Sequence, residues 1–232
     1  GSTSTSDAGT NKIGKDANTC IAMEKKASYS TGDSIYFCNE ENENNGYKEE
    51  FHIMSSYTEN NIKYYKLFSD YGLSSTGIQS KSEATIIAVN GEGSGDNALK
   101  EAEEYGKKIG RLLGLDDNAI KGTISDYTDI VGKFGLKYAP SYGISFYEIE
   151  KKINNEIKYY DWLLPPDGYK YWASSKTHYE NQSGRGYAYY LLSGTSDKKR
   201  LQLFSVLIRD KDFSPQVRPT IIVPASAIVA NN

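Results

Sequence analysis

Tyr171-Trp172-Ala173-Ser174-Ser175 and Gln216-Val217-Arg218-Pro219-Thr220-Ile221-Ile222-Val223-Pro224 bracket the last part of this 232-residue chain. Both stretches are rich in aromatic and β-branched residues, which fit a pleated, half-buried surface. Between them the chain has two more runs of that kind, split by the turn-forming cluster Ser193-Gly194-Thr195-Ser196-Asp197. Pro165-Pro166-Asp167-Gly168 turns the chain just before the first of them. The pattern predicts three or four closing strands, over Tyr171–Ser174, Tyr187–Leu192, Leu201–Ile208 and Val217–Val223.

The N-terminal part carries a similar pattern. Ser30-Thr31-Gly32-Asp33 is a turn signal ahead of a strand at Ser34–Cys38. Glu50–Ser56 and Ile62–Phe68 flank a turn at Thr58–Asn61. Ala84–Val89 is apolar throughout, as in a strand buried on both faces. The middle differs. Leu99, Ala102, Ile109, Leu112 and Leu113 recur at helical spacing, which predicts a helix over Ala98–Leu113. Asp96 or Asn97 caps its start and Gly114 ends it. Asp116–Leu136 reads as one or two short helices bearing Tyr127, Ile130, Val131 and Phe134. Phe146–Ile157 reads as a further amphipathic segment, with Ile149, Ile153 and Ile157 four residues apart. Strands, then helices, then strands predict an α+β fold. In it the N- and C-terminal strands form one antiparallel sheet, and a central helical insert packs on one face. Residues 17–232 are expected to form one domain, with a β part at 17–90, the insert at 91–160 and a second β part at 161–232. Residues 1–16 read as a cloning remnant, Gly1-Ser2, followed by a Ser/Thr/Gly/Asn spacer; the expectation is that a leader or membrane anchor once stood upstream.

Bulk composition narrows the partners. The net charge is −3 and the mean hydropathy −0.61. No basic footprint for nucleic acid is present, and no apolar run approaches the length of a membrane-spanning helix. Tyrosine is the outlier, at 20 residues against 7 Phe and 2 Trp. Its apolar ring and polar tip suit both two-faced strands and recognition surfaces. Tyr171, Trp172, Tyr187, Tyr189 and Tyr190 are therefore the candidate binding surface.

Few residues offer chemistry. Cys20 and Cys38 are read as a disulfide of an exported chain, closing a short loop for a gain of about 3 kcal/mol. A reduced pair and a zinc site are the alternatives, though neither His52 nor His178 completes a familiar zinc spacing. Gly91, Gly93 and Gly95 follow a strand and precede a helix, where backbone amides can hold phosphate. The lysine and hydroxyl of a P-loop are missing, however, and Glu92 and Asp96 would repel phosphate. A serine-hydrolase elbow is absent near either histidine. Asp126, Asp129, Asp210 and Asp212 lack calcium-loop spacing. No catalytic residue, metal or cofactor is therefore expected. Arg218, alone among apolar neighbours, reads as a structural anchor paired to a carboxylate.

Several ordered motifs carry a family resemblance. Tyr29-Ser30-Thr31-Gly32-Asp33-Ser34-Ile35-Tyr36 resembles the opening of Gram-positive type IV pilin-like surface proteins. Phe51-His52-Ile53-Met54-Ser55-Ser56 followed by Lys66-Leu67-Phe68-Ser69-Asp70-Tyr71-Gly72-Leu73 is similar to their next element. Tyr171-Trp172-Ala173-Ser174-Ser175, Ala188-Tyr189-Tyr190 and Gln216-Val217-Arg218-Pro219 resemble their close, which is also similar to C-type-lectin-like bacterial surface domains. The sugar-binding triplets of lectins are not found here. The resemblance implies an extracellular, non-enzymatic head of a minor pilin or envelope protein, structural or adhesive in role. Its partners would be other pilus or envelope subunits and host or neighbouring-cell ligands, with membrane contact only through a missing N-terminal segment. Two alternatives stand beside it: an exported hydrolase with its site in the insert between Ser75 and Pro165, and a peptide- or glycan-binding module.

Overall fold

The structure, a computed structural model, describes residues 25–38, 48–80, 94–165, 170–178, 187–195, 200–207 and 215–230, with the backbone alone described at 38, 94–97, 175–178, 187–193, 195 and 204–207.

Two Asn-Asn pairs make the tightest hairpins. Asn60 and Asn61 join β2 (Lys48–Glu59) to β3 (Ile62–Ser69), with φ of 52° and 64°. Asn154 and Asn155 join β6 (Glu150–Ile153) to β7 (Glu156–Tyr159), with φ of 51° and 65°. Two successive positive φ values make the turn whose twist matches that of paired strands, and asparagine tolerates them better than most residues.

β2 and β3 are the centre of a five-stranded sheet of order β1-β2-β3-β11-β4. β1 is Ser34–Cys38, β4 is Lys121–Thr123 and β11 is Thr220–Pro224. Every pairing in it is antiparallel, and the C-terminal β11 lies directly against the N-terminal β3. The fold is α+β, with a sheet shared by the two ends of the chain. Helix α1 (Ser94–Leu112) covers one face of this sheet. Its Ala98, Ala102, Tyr105 and Ile109 pack with Phe51, Ile53, Tyr65, Leu67, Ile221 and Val223. Gly106 and Gly122 bring helix and strand together: a Cβ on Gly122 would overlap the carbonyl oxygen of Ala102, and one on Gly106 would overlap the amide of Gly122.

The opposite face carries a second core. Alternation along β2 turns Ile53 to the helix and Met54 to Phe68 on the other side, just where the register shifts between Ile53 and Ser55. There they meet Ile130, Val131, Phe134, Ile149, Leu163, Tyr171 and Leu201. This core includes a second, four-stranded sheet of order β5-β10-β9-β8, made of β5 (Ser145–Glu148), β8 (Tyr171–His178), β9 (Tyr187–Thr195) and β10 (Arg200–Leu207). At the margin of the first core, Lys26 bridges to Val229, the Ala230 amide donates to the Lys26 carbonyl at 2.8 Å, and the Tyr29 hydroxyl donates to the Ile228 carbonyl at 3.0 Å.

Three details of the expected layout change. Residues 146–157 form β5, β6 and β7 rather than an amphipathic helix; of the three spaced isoleucines only Ile149 is fully buried, and Ile157 is exposed. Asp116–Leu136 holds one short helix as expected, a π-helical turn at Thr128–Gly132 that buries Ile130 and Val131, but a strand, β4, precedes it. The closing strands divide between two sheets instead of joining one. The helix starts at Ser94, ahead of the expected Ala98, so Gly95 lies in its first turn; the expected strand at 84–89, Gly91 and Gly93 lie outside the described residues. No helix among the described residues is long and apolar enough to cross a membrane.

Candidate functional site

Cross-strand register assembles a polar row on β1, β2 and the end of β3. Ser34 and His52 are paired residues of β1 and β2, and this sets Ser34 Oγ 3.3 Å from His52 Nε2. Asp70 follows the last residue of β3, held beside β2 by its amide, which donates to the Glu50 carbonyl at 2.9 Å. Its Oδ1 lies 2.6 Å from His52 Nδ1. A carboxylate only accepts, so the proton on Nδ1 points at Asp70, and Nε2 is left facing the Ser34 hydroxyl. His52 and Asp70 each keep 20% of their side-chain surface exposed, so both are mostly covered yet still reached by water.

Trp162 covers the imidazole. It sits in a 3-10 turn, Asp161–Leu163, and its indole stacks on His52 with ring centres 5.1 Å apart and planes 2° from parallel. Phe134 meets the indole edge-on at 5.5 Å, and Phe68 lies 6.1 Å away. The stack borders an open cleft of about 290 Å³ lined by His52, Asp70, Tyr71, Asp161, Trp162 and Leu164.

Arg218 holds the turn in place. Its Nε donates to the Ser69 carbonyl at 3.1 Å, Nη1 to Leu163 and Leu164 at 3.2 and 3.1 Å, and Nη2 to Trp162 at 2.7 Å. The guanidinium is flanked by the rings of Phe68 at 4.4 Å and Tyr171 at 4.7 Å. Buried charge is costly unless hydrogen-bonded; here carbonyl dipoles and aromatic faces compensate it. Burial lowers the pKa of Arg218, with Tyr171, Asp70 and Tyr71 acting against that shift. Burial pushes the Tyr171 phenol well above its usual value, and the neighbouring Arg218 opposes this. The Tyr171 hydroxyl also donates to the Leu163 carbonyl at 2.6 Å, adding a second tie to the same turn.

The residues expected to form a site fare differently. Arg218 is tied to backbone carbonyls, not to the expected carboxylate. Tyr171 and Trp172 do not form a recognition surface: they are 0% and 2% exposed, because successive residues of β8 turn into the second and first cores respectively. Cys20 and the side chains of Cys38, His178, Tyr187, Tyr189 and Tyr190 lie outside the described residues. Among the described residues no group of three or more His, Cys, Asp and Glu side chains is placed to hold a metal ion.

Sequence reading missed the residues that line the cleft. Asp70, Tyr71, Asp161 and Trp162 come from two distant segments; Asp70 and Tyr71 stand in the stretch Lys66–Leu73 that carries the resemblance, but nothing in it marked them as site residues. The one available signal was His52 between the apolar Phe51 and Ile53 of β2, with a polar residue at the start of β1 and another just past β3. No protein-family model matches the chain, and no curated protein or solved structure matches it either.

Proposed function

We propose that this chain is the extracellular, non-enzymatic head of a pilus-associated or envelope protein, adhesive in role, and that it binds through the cleft beside Trp162. The observation that supports adhesion is the cleft itself. An aromatic wall and two carboxylates are presented at the surface, and a buried cation fixes the turn bearing the wall. Rigid aromatic contact area of this kind suits recognition, since little side-chain freedom is lost on binding. Display outside the cell is supported by the ordered motifs at Tyr29–Tyr36 and Gln216–Pro219. The partners would be other subunits of the filament or ligands on a neighbouring cell. Probing protein and glycan arrays with wild type and Trp162→Ala tests the reading. Partners captured by wild type and lost by the variant are expected; an empty array, or an unchanged set, overturns it.

The row Ser34–His52–Asp70 favours a second reading, acyl transfer by Ser34, because its atoms follow the order of a hydrolytic triad. Such a nucleophile also needs amides free to hold the oxyanion. The two amides just before Ser34 are engaged: Gly32 donates to Ile53 at 2.8 Å and Asp33 to Ser30 at 3.0 Å. An alkyl fluorophosphonate is expected to leave Ser34 unlabelled. A stoichiometric adduct on Ser34, abolished by His52→Ala, would replace the binding reading with an esterase or peptidase.

A further inference from the structure

We infer that the cleft receives one organic cation, the ammonium or guanidinium of a basic side chain on a partner protein; this rests on the binding reading above. Charge is the first argument. Asp70 and Asp161 line the cleft, and no Lys or Arg does. The carbonyls of Trp162 and Leu164 in the same turn already accept from Arg218. One oxygen of Asp70 accepts from His52, while among the described residues the Asp161 carboxylate has no hydrogen-bond or ion-pair partner. The acceptors left to a ligand are therefore anionic. Ring chemistry agrees, since Trp162 and Tyr71 line the cleft and the electron-rich faces of aromatic rings attract cations rather than anions.

Size is the second argument. At about 290 Å³ the cleft lies at the lower edge of ligand pockets, which span roughly 300–1,000 Å³. It accommodates one side chain better than an extended glycan. The third argument is the approach. β7 leads into the turn, and its Ile157 and Tyr159, on one face of the strand, are 54% and 48% exposed. Consecutive Cα atoms are about 3.8 Å apart, so the Tyr159 Cα lies within about 8 Å of that of Asp161. An apolar strip so close to an anionic cleft suits a cation arriving on a polypeptide rather than as a free amine.

The test uses the indole N–H resonance of Trp162 in a proton–nitrogen correlation spectrum, with Trp172 as internal control. Acetyl-Leu-Lys-Leu-amide and acetyl-Leu-Arg-Leu-amide are expected to shift Trp162 saturably and leave Trp172 still. Acetyl-Leu-norleucine-Leu-amide and acetyl-Leu-Glu-Leu-amide are expected to do nothing. Asp161→Asn should weaken the lysine peptide roughly twofold to fivefold, the scale of an exposed ion pair. Tyr159→Ser should weaken the peptide and leave putrescine, the free diamine, unchanged. If the norleucine peptide shifts Trp162 equally, charge recognition is overturned while the cleft still binds. If putrescine matches the lysine peptide and Tyr159→Ser affects neither, the polypeptide partner is overturned. If no probe moves Trp162 while the arrays still report Trp162-dependent partners, the cation is wrong and the binding reading survives.

Discussion

On the helix-covered face of the five-stranded sheet, Gly106 and Gly122 let two backbones touch, and apolar side chains fill the rest. On the opposite face a buried Arg218 gathers four carbonyl oxygens and two aromatic rings. The first face is specified by what is absent, a Cβ; the second by a group that would be costly if any partner were lost. Close packing resists any added atom, whereas a hydrogen-bonded charge resists the loss of its donors. The cleft lies on the second face. Its geometry therefore depends on a residue that does not line it.

The largest expected effect attacks the first face. Gly122→Ala puts a methyl group against the Ala102 carbonyl, with backbone on both sides and no flexible atom to yield. A loss of about 3 kcal/mol or more is expected, at the upper end of overpacking costs, read as a large fall in the urea midpoint or failure to fold. A loss below about 0.5 kcal/mol, the range of ordinary surface changes, would show that helix and sheet are not held by this approach.

Next comes Arg218→Met, which keeps an unbranched apolar stem and removes every donor. About 2–4 kcal/mol should be lost, from charged hydrogen bonds and newly unpaired carbonyls. The Trp162 indole resonance should also move as the Asp161–Leu163 turn loosens. Arg218→Lys should recover only part of this, since an ammonium cannot span carbonyls of Ser69, Trp162, Leu163 and Leu164 as a planar fork does. Equal stability of Met and wild type would break the contrast between the two faces.

The smallest effect is that of Tyr171→Phe. Leu163 keeps a hydrogen bond from Arg218, so no carbonyl is orphaned, and about 1 kcal/mol is expected to be lost at neutral pH. The pH dependence sharpens the point. The folded pKa of Tyr171 lies above the 10.0 of an unperturbed phenol. Its contribution is therefore complete below pH 10 and declines as pH rises toward the folded value. The stability gap between wild type and variant should narrow above pH 10 in urea titrations. A gap constant to pH 11 would mean that Tyr171 ionises as freely in the fold as in the unfolded chain.

The architecture was legible where local signals agreed. β2, β3, β11 and α1 fall close to where turn residues and periodicity placed them, and the pairing of the N- and C-terminal strands follows from the order of elements. The misreading at 146–157 has a definite cause. Ile149, Ile153 and Ile157 repeat every four residues, but they lie on two short strands and a connection, and the Asn154-Asn155 turn signal between them outweighs the helical period. The same dipeptide at Asn60-Asn61 lay within a recognised turn. The cleft was illegible for a different reason. Ser34 meets His52 through strand register, Trp162 reaches His52 from a turn just past the insert, and Arg218 joins them from the far end of the chain. Sequence spacing carries no trace of such long-range meetings. A composition rich in tyrosine pointed toward Tyr171 and Trp172, yet the same amphipathic character lets those rings serve an interior.

The bridge between Lys26 and Val229 has a further consequence. Because Lys26 and Val229 are neighbours, splicing residues 26–229 into a surface turn of a carrier protein would add little loop-closure entropy. Rejoining the two points with a short glycine-serine tether should likewise permit new ends to be opened at the exposed Asn154-Asn155 corner.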